Sequence, residues 1–215
     1  LNQELSAGQM LAMSVYLTLL PLPVTQPPRS PELMAAWRDG MVAFQEIGCH
    51  GCHKPSWQIR EPVWIERGEY PQESIALTLD LRKDIRNGPP LRHLDKTIND
   101  IVIFPFSDLR RHDMGPELAD RGTGPGSSLP PHVGDHRGPS IAPSYFLTRP
   151  LWGLADSALY LHDGRAHTLH DAIAMHGGEA NDVRAAYLAL PAARQRALQI
   201  FLYSLTRPMF PEATP

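Results

Sequence analysis

Residues 48–55 read GCHGCHKP and hold both cysteines of the chain. Within them, Cys49-His50-Gly51-Cys52-His53 places two thiols three positions apart, with a histidine directly after the second. That is the spacing of c-type haem attachment. The thiols can add to two vinyl groups on one porphyrin edge, and the following histidine can donate a ring nitrogen to the iron. On this reading Cys49 and Cys52 carry haem c, His53 is the proximal ligand, and His50 is one of the two variable residues between the cysteines. Three other readings of the pentapeptide stay open. Zinc wants four ligands, usually from a second C-x-x-C or H-x-x-x-H pair, and no such pair lies near. A thioredoxin-like redox pair follows a strand, whereas the segment before Cys49 reads as helix. Two buried thiols that happen to be neighbours are the plainest alternative.

The preceding segment, SPELMAAWRDGMVAFQEIG (30–48), predicts a helix. Ser30 suits an N-cap and Pro31 the first helical position. Leu33, Trp37, Met41 and Phe44 fall on one apolar face, and Gly48 can end the helix just before Cys49. A second helix is expected after Thr168, a cap with Asp171 three residues on as a short capping box. Leu169, Ala172, Ile173 and His176 share its face, and Gly177 and Gly178 stop it. His176 is therefore the candidate second haem ligand. Met175 is the rival, since a thioether also ligates haem, but it points about 100° away around the helix. A core histidine bonded to a carbonyl is the bland reading of His176.

LSAGQMLAMSVYLTLLPLP (5–23) echoes LPAARQRALQIFLYSLTRP (190–208) without a gap. Leu5, Ala7, Ala12, Leu17 and Pro23 meet Leu190, Ala192, Ala197, Leu202 and Pro208. Both predict helices with a proline stop. If the second copy closes a domain opening at residue 30, the first would close an earlier, similar domain absent from this chain. The expected organisation is a closing helix and linker at 1–29, a haem domain at 30–208 and a tail at 209–215. Two helices that end in proline can also look alike by chance.

Bulk properties narrow the partners. Apolar residues make up 42% of the 215, which supports a packed core and argues against wholesale disorder. The 22 prolines crowd into 21–31 and 122–150, so long irregular loops are expected between helices. Residues 56–110 and 121–148 show little periodicity. The net charge of -3 and the lack of a basic run argue against nucleic acid. No apolar stretch reaches the ~18 residues of a membrane span, and MLAMSVYLTLLPLPV (10–24) lacks a basic n-region and a cleavage site.

Four ordered stretches carry a resemblance: AFQEIGCHGCHKP (43–55), FSDLRRHDMGPELAD (106–120), RPLWGLADSALYLHDGRAHTL (149–169) and HGGEA (176–180). With them the chain resembles the di-haem cytochrome c peroxidase superfamily, and most of all its bacterial di-haem oxidoreductases of peroxidase or thiol oxidoreductase type. The resemblance implies a mainly α fold of cytochrome c-like domains, each with one covalent haem. An oxidant such as hydrogen peroxide reacts at the first haem, and the second, six-coordinate haem relays electrons. It places the distal ligand of that second haem fourteen residues after the histidine of Y-x-H-D-G, which runs from His162 to His176. Relatives carry methionine or tyrosine there. Histidine implies bis-His ligation and a lower potential. The chain departs from the pattern in having one C-x-x-C-H where the family has two. The reactive haem is then expected in a missing first domain or a partner haem protein, with a small redox donor supplying electrons. A sensor in which a gas or peroxide displaces His176 is a further reading.

The resemblance also implies a periplasmic or cell-surface location and a calcium ion near Ser157 and Leu159. Arg149 and Arg165 could pair with haem propionates, and Trp152 could pack on the porphyrin. Surface solvation and core packing are their plainer roles. His112 and Met114 could lie near the haem edge. His162 and Asp163 are expected to fix a tight turn.

Overall fold

The computed structural model describes residues 5–19, 23–66, 77–81, 93–95, 100–120, 142–157 and 159–207. The expected tail at 209–215 and the segment 121–141 lie outside the described residues. Helices dominate the regular structure, and the sheets are small. The α-helices are α1 (Ala7–Leu19), α2 (Pro31–Glu46), α3 (Leu169–Ala174), α4 (Asn181–Ala189) and α5 (Ala192–Tyr203). Short strands β1 (Val24–Thr25), β2 (Trp57–Ile59), β3 (Val63–Glu66), β4 (Leu77–Asp80), β5 (His93–Asp95), β6 (Asp100–Ile103), β7 (Arg111–Asp113), β8 (Tyr145–Leu147) and β9 (Leu205–Thr206) lie between and around them. The chain divides into two compact units. One holds Leu1–Val24, Ser56–Phe104 and Arg207–Pro215; the other holds Thr25–Pro55 and Pro105–Thr206.

In the first unit α1 opens on a capping box. Ser6 Oγ accepts the Gln9 N–H at 3.3 Å and Gln9 Oε1 accepts the Ser6 N–H at 2.8 Å. The aperiodic stretch after residue 56 is not all loop. Strand β6 runs antiparallel between β2 and β5, with Gln58 and His93 both opposite Val102, and β3 pairs antiparallel with β4. These strands are three or four residues long, too short for an alternation of apolar and polar residues to register.

The second unit contains the motif. Ser30 caps α2, its Oγ accepting the Leu33 N–H at 3.2 Å, and Pro31 stands at the first turn. The buried face differs from the one expected. Leu33 is 47% exposed and Met41 36%, while Gly40, Ala43 and Phe44 are buried. The face follows α5 rather than the largest side chains. Gly40 sits against the Ala197–Leu198 backbone so closely that a Cβ there would lie 2.9 Å from Leu198 N. The contact is made by backbone, and big residues flank it. Trp37, Phe44, Phe106 and Phe201 interlock edge-to-face at centroid distances of 5.5–6.0 Å. Leu169, Tyr187, Leu198, Leu202 and Leu205 complete this core, and Cys49 packs on it. Trp37 Nε1 donates to Ser204 Oγ at 2.7 Å.

Candidate functional site

Gly48 follows the last residue of the α2 cap with φ +93°, a left-handed conformation that suits glycine. It turns the chain from α2 into a single 3-10 turn, Cys49–Gly51. The Cys52 and His53 N–H groups both bond back to Cys49 O. The motif is stitched to one neighbouring segment: Asp108 N–H donates to Cys52 O at 2.8 Å and Ser107 N–H to Lys54 O at 3.0 Å. Within that segment Phe106 and Leu109 hold positive φ, +51° and +57°, where side-chain-bearing residues are strained. The strained Phe106 presents its carbonyl to His53 Nδ1 at 3.0 Å. Ser107 secures the bend, its Oγ donating to Thr148 O at 2.7 Å and accepting the Leu109 N–H at 3.0 Å.

Both cysteines are free and partly buried. Burial pushes the Cys49 thiol up to about 12, and burial followed by the charges of Asp108 and Glu179 raises Cys52. They are thiols rather than thiolates at neutral pH, unlike a thioredoxin-type nucleophile.

Thr168 caps α3 as expected, its Oγ1 accepting the Asp171 N–H at 3.0 Å. The helix is only Leu169–Ala174, Met175 is its C-cap, and His176 follows in the next turn. His176 Nδ1 lies 2.7 Å from Ala172 O, so the ring lies back along its own helix. The fold brings His176 near enough to His53 for its charge to act on that ring. Burial pushes His53 down to about 4; its Phe106 bond opposes this, and the charge of His176 lowers it further. Burial also lowers His176. Both rings are neutral at pH 7. Each has Nδ1 on a carbonyl, which assigns the proton there and leaves Nε2 as the lone-pair atom. Neither Nε2 has a hydrogen-bond partner among the described residues. Two neutral imidazoles, each oriented through its outer nitrogen with Nε2 left as the lone-pair atom, are what a metal with two histidine ligands requires. Two free thiols adjoin one of them. This donor set fits a covalently attached haem. Among the described residues no three His, Cys, Asp or Glu side chains converge as a zinc site would need.

The 106–120 and 176–180 stretches meet beside this pair. Strand β7 pairs with β8, setting His112 opposite Phe146. His112 Nε2 lies 2.8 Å from Asp108 Oδ2, and Nδ1 lies 2.7 Å from Glu179 Oε2. Glu179 Oε1 accepts the Asp113 N–H at 3.0 Å. The Glu179 bond raises His112; burial opposes this, and Asp108 adds to it. Burial works against ionisation of Asp108, but bonds from Arg110 N–H and His112 carry its carboxyl below the usual range. Glu179 is lowered by the Asp113 N–H and then by His112. Behind the carboxylate the two backbones nearly touch. At Gly178, with φ +55°, a Cβ would overlap Asp113 O and lie 2.6 Å from Gly115 N.

The remaining expected residues are dispersed. Trp152 and Arg149 are exposed. Arg165 is engaged by Asp163 and by Glu117 O, at 2.6 Å from Nη1. Met175 is half-buried, and its N–H bonds to Asp171 O. The HDG turn has Asp163 Oδ1 accepting the Arg165 N–H at 3.3 Å, while His162 stacks on Phe146 at 4.3 Å and pairs with Asp120. Ser157 Oγ donates to Leu159 O at 2.8 Å. Sequence reasoning singled out His112 without its partners. Glu179 and the Phe106 carbonyl carried no pattern, because they meet His112 and His53 across separations of 67 and 53 positions, and Asp108 lies four positions before His112 outside any helix.

A family model described as di-haem oxidoreductase, putative peroxidase matches residues 15–205. Comparison with curated proteins and with solved structures finds no match.

Proposed function

Because the chain belongs to the di-haem oxidoreductase family, we propose that it carries one c-type haem, joined through Cys49 and Cys52, with Nε2 of His53 and of His176 as the iron ligands. The cytochrome c-like character of the domain is part of the same reading. The observation that carries it is the pair of neutral, neighbouring imidazoles, each held at Nδ1 by a backbone carbonyl. When bound, the haem supplies a one-electron iron couple. The chain's own residues hold and tune it. The Phe106 and Ala172 carbonyls fix the tautomer and orientation of the two rings, and their partial burial lowers the local dielectric.

Two histidine ligands leave no position for substrate, so the role is electron relay within an oxidoreductase. Peroxide reduction or protein oxidation belongs to a second haem, in another domain or a partner chain, because the sequence has one C-x-x-C-H. A periplasmic or cell-surface location is what the family resemblance implies, and it is part of the same proposal.

The test is the absorption spectrum of the haem-loaded chain, oxidised and reduced, with and without peroxide. The expected spectrum is low-spin, c-type and indifferent to peroxide, turning high-spin in His176→Ala. An unchanged low-spin spectrum in that variant overturns the ligand assignment. A high-spin wild type that reacts with peroxide marks an enzyme in its own right.

A further inference from the structure

Among the described residues, the His176 ring is anchored only within its own short helix, through Ala172 O. Something must hold that helix end against the segment bearing His53, and among the described residues the hydrogen bonds across that gap converge on Glu179, which meets both His112 and the Asp113 N–H. Asp108, 6% exposed, is tied to the cysteine motif by its N–H on Cys52 O at 2.8 Å. Its carboxylate holds His112 Nε2. His112 Nδ1 holds Glu179 Oε2, and Glu179 Oε1 takes the Asp113 N–H. Glu179 stands three residues after His176, and the intervening Gly177 and Gly178 lie backbone to backbone with Asp113–Gly115, leaving little slack.

We propose that His112, clamped between Asp108 and Glu179, is a positioning residue for the second haem ligand: it sets how firmly His176 is presented to the iron that His53 binds. The inference rests on the ligand pair proposed above. Both His112 nitrogens are used inside the bracket, so it acts through Glu179 and not on the iron. The bracket positions His176 through its hydrogen bonds. A glutamine at 179 keeps both links, Oε1 accepting from Asp113 N–H and Nε2 donating to a neutral His112 Nδ1, while an alanine keeps neither.

The experiment measures cyanide binding to the ferric haem of the full, haem-loaded chain at fixed pH, since cyanide must displace His176. Losing the outer partners of a metal ligand typically weakens its bond on the order of 10–100-fold. His112→Ala and Glu179→Ala should therefore tighten apparent cyanide affinity by about tenfold or more, and Glu179→Gln should stay near wild type. Glu179 is half-exposed, so its variants report even if His112→Ala fails to fold. Wild-type cyanide affinity in Glu179→Ala overturns the proposal, and so does an equal rise in Glu179→Gln, which would assign the effect to charge. His176→Ala separates this from the parent reading. If it binds cyanide no better than wild type, the ligand assignment has failed. If it opens the site while Glu179→Ala does not, only the bracket has.

Discussion

Replacing Gly40 with alanine pits two effects of opposite sign against each other in the helix that leads into the C-x-x-C-H motif. In an exposed helix interior the change gains about 1 kcal/mol, because glycine is the poorer helix former. Here the new Cβ would lie 2.5 Å from Ala197 C and 2.9 Å from Leu198 N, where ordinary contact begins at 3.4 Å. The obstacle is α5 backbone, which has no rotamer to change. Relief requires α2 and α5 to part by nearly an ångström, and a gap of ~0.5–1 Å forfeits a quarter to a half of a dispersion contact. Phe44 and Phe201, whose rings meet edge-to-face at 5.5 Å, sit across that interface. Overpacking typically costs about 1–3 kcal/mol. With a backbone obstacle the upper end applies, leaving a net loss of about 2 kcal/mol after the helix gain. Urea unfolding of the loaded chain, followed by far-UV circular dichroism, should show a midpoint lower by about 1 M for a urea slope near 2 kcal/mol/M. The matched control is Gly8→Ala in α1, where nothing lies within 4 Å of the new methyl; there α1 should gain about 0.5–1 kcal/mol. A Gly40→Ala chain as stable as wild type would refute the close backbone contact and the account of the buried face built on it.

Acid should destabilise the chain before haem is attached. His53 falls from an unfolded value of 6.5 to about 4 in the fold, so the unfolded state binds the extra proton between those pH values. Stability present above 6.5 is lost as pH falls toward 4, by about 3 kcal/mol from this group. Urea midpoints from pH 7 to 4 should drop more steeply in wild type than in His53→Gln; parallel slopes would contradict it. His112 carries the opposite sign, since its raised value gives stability that is full below 6.5 and is lost as pH rises through its folded value. In wild type and His112→Gln, the difference in midpoint should shrink from pH 6 to pH 9. Ser107→Ala strips a buried hydroxyl from Thr148 O and from the strained Leu109 N–H, and thermal unfolding should register a loss of about 1–3 kcal/mol; a smaller one would mean the 105–109 bend holds without it.

The local structure around the motif was legible because its causes are local. Ser30-Pro31 starts α2, Gly48 permits the left-handed turn into Cys49, and Thr168 with Asp171 starts α3; each depends on residues within four positions of one another. The candidate donors stand out in the sequence for the same reason, C-x-x-C-H being contiguous and His176 marked by its place between a short apolar helix and two glycines. The buried face of α2 was not legible. Hydrophobic periodicity points to Leu33 and Met41, but the decisive residue is Gly40, whose value lies in what it lacks, and that shows only once α5 lies against it. The tertiary structure alone decided that His53 and His176 are neighbours, that a strained Phe106 carbonyl steers one of them, and that Asp108, His112 and Glu179 form a single bracket. Apart from the bond between Asp108 and His112, four positions apart on a non-helical stretch, the hydrogen bonds among them join residues tens of positions apart, His53 to Phe106 and His112 to Glu179. Such bonds impose no period and no spacing on a sequence, so they become visible only when the chain has folded.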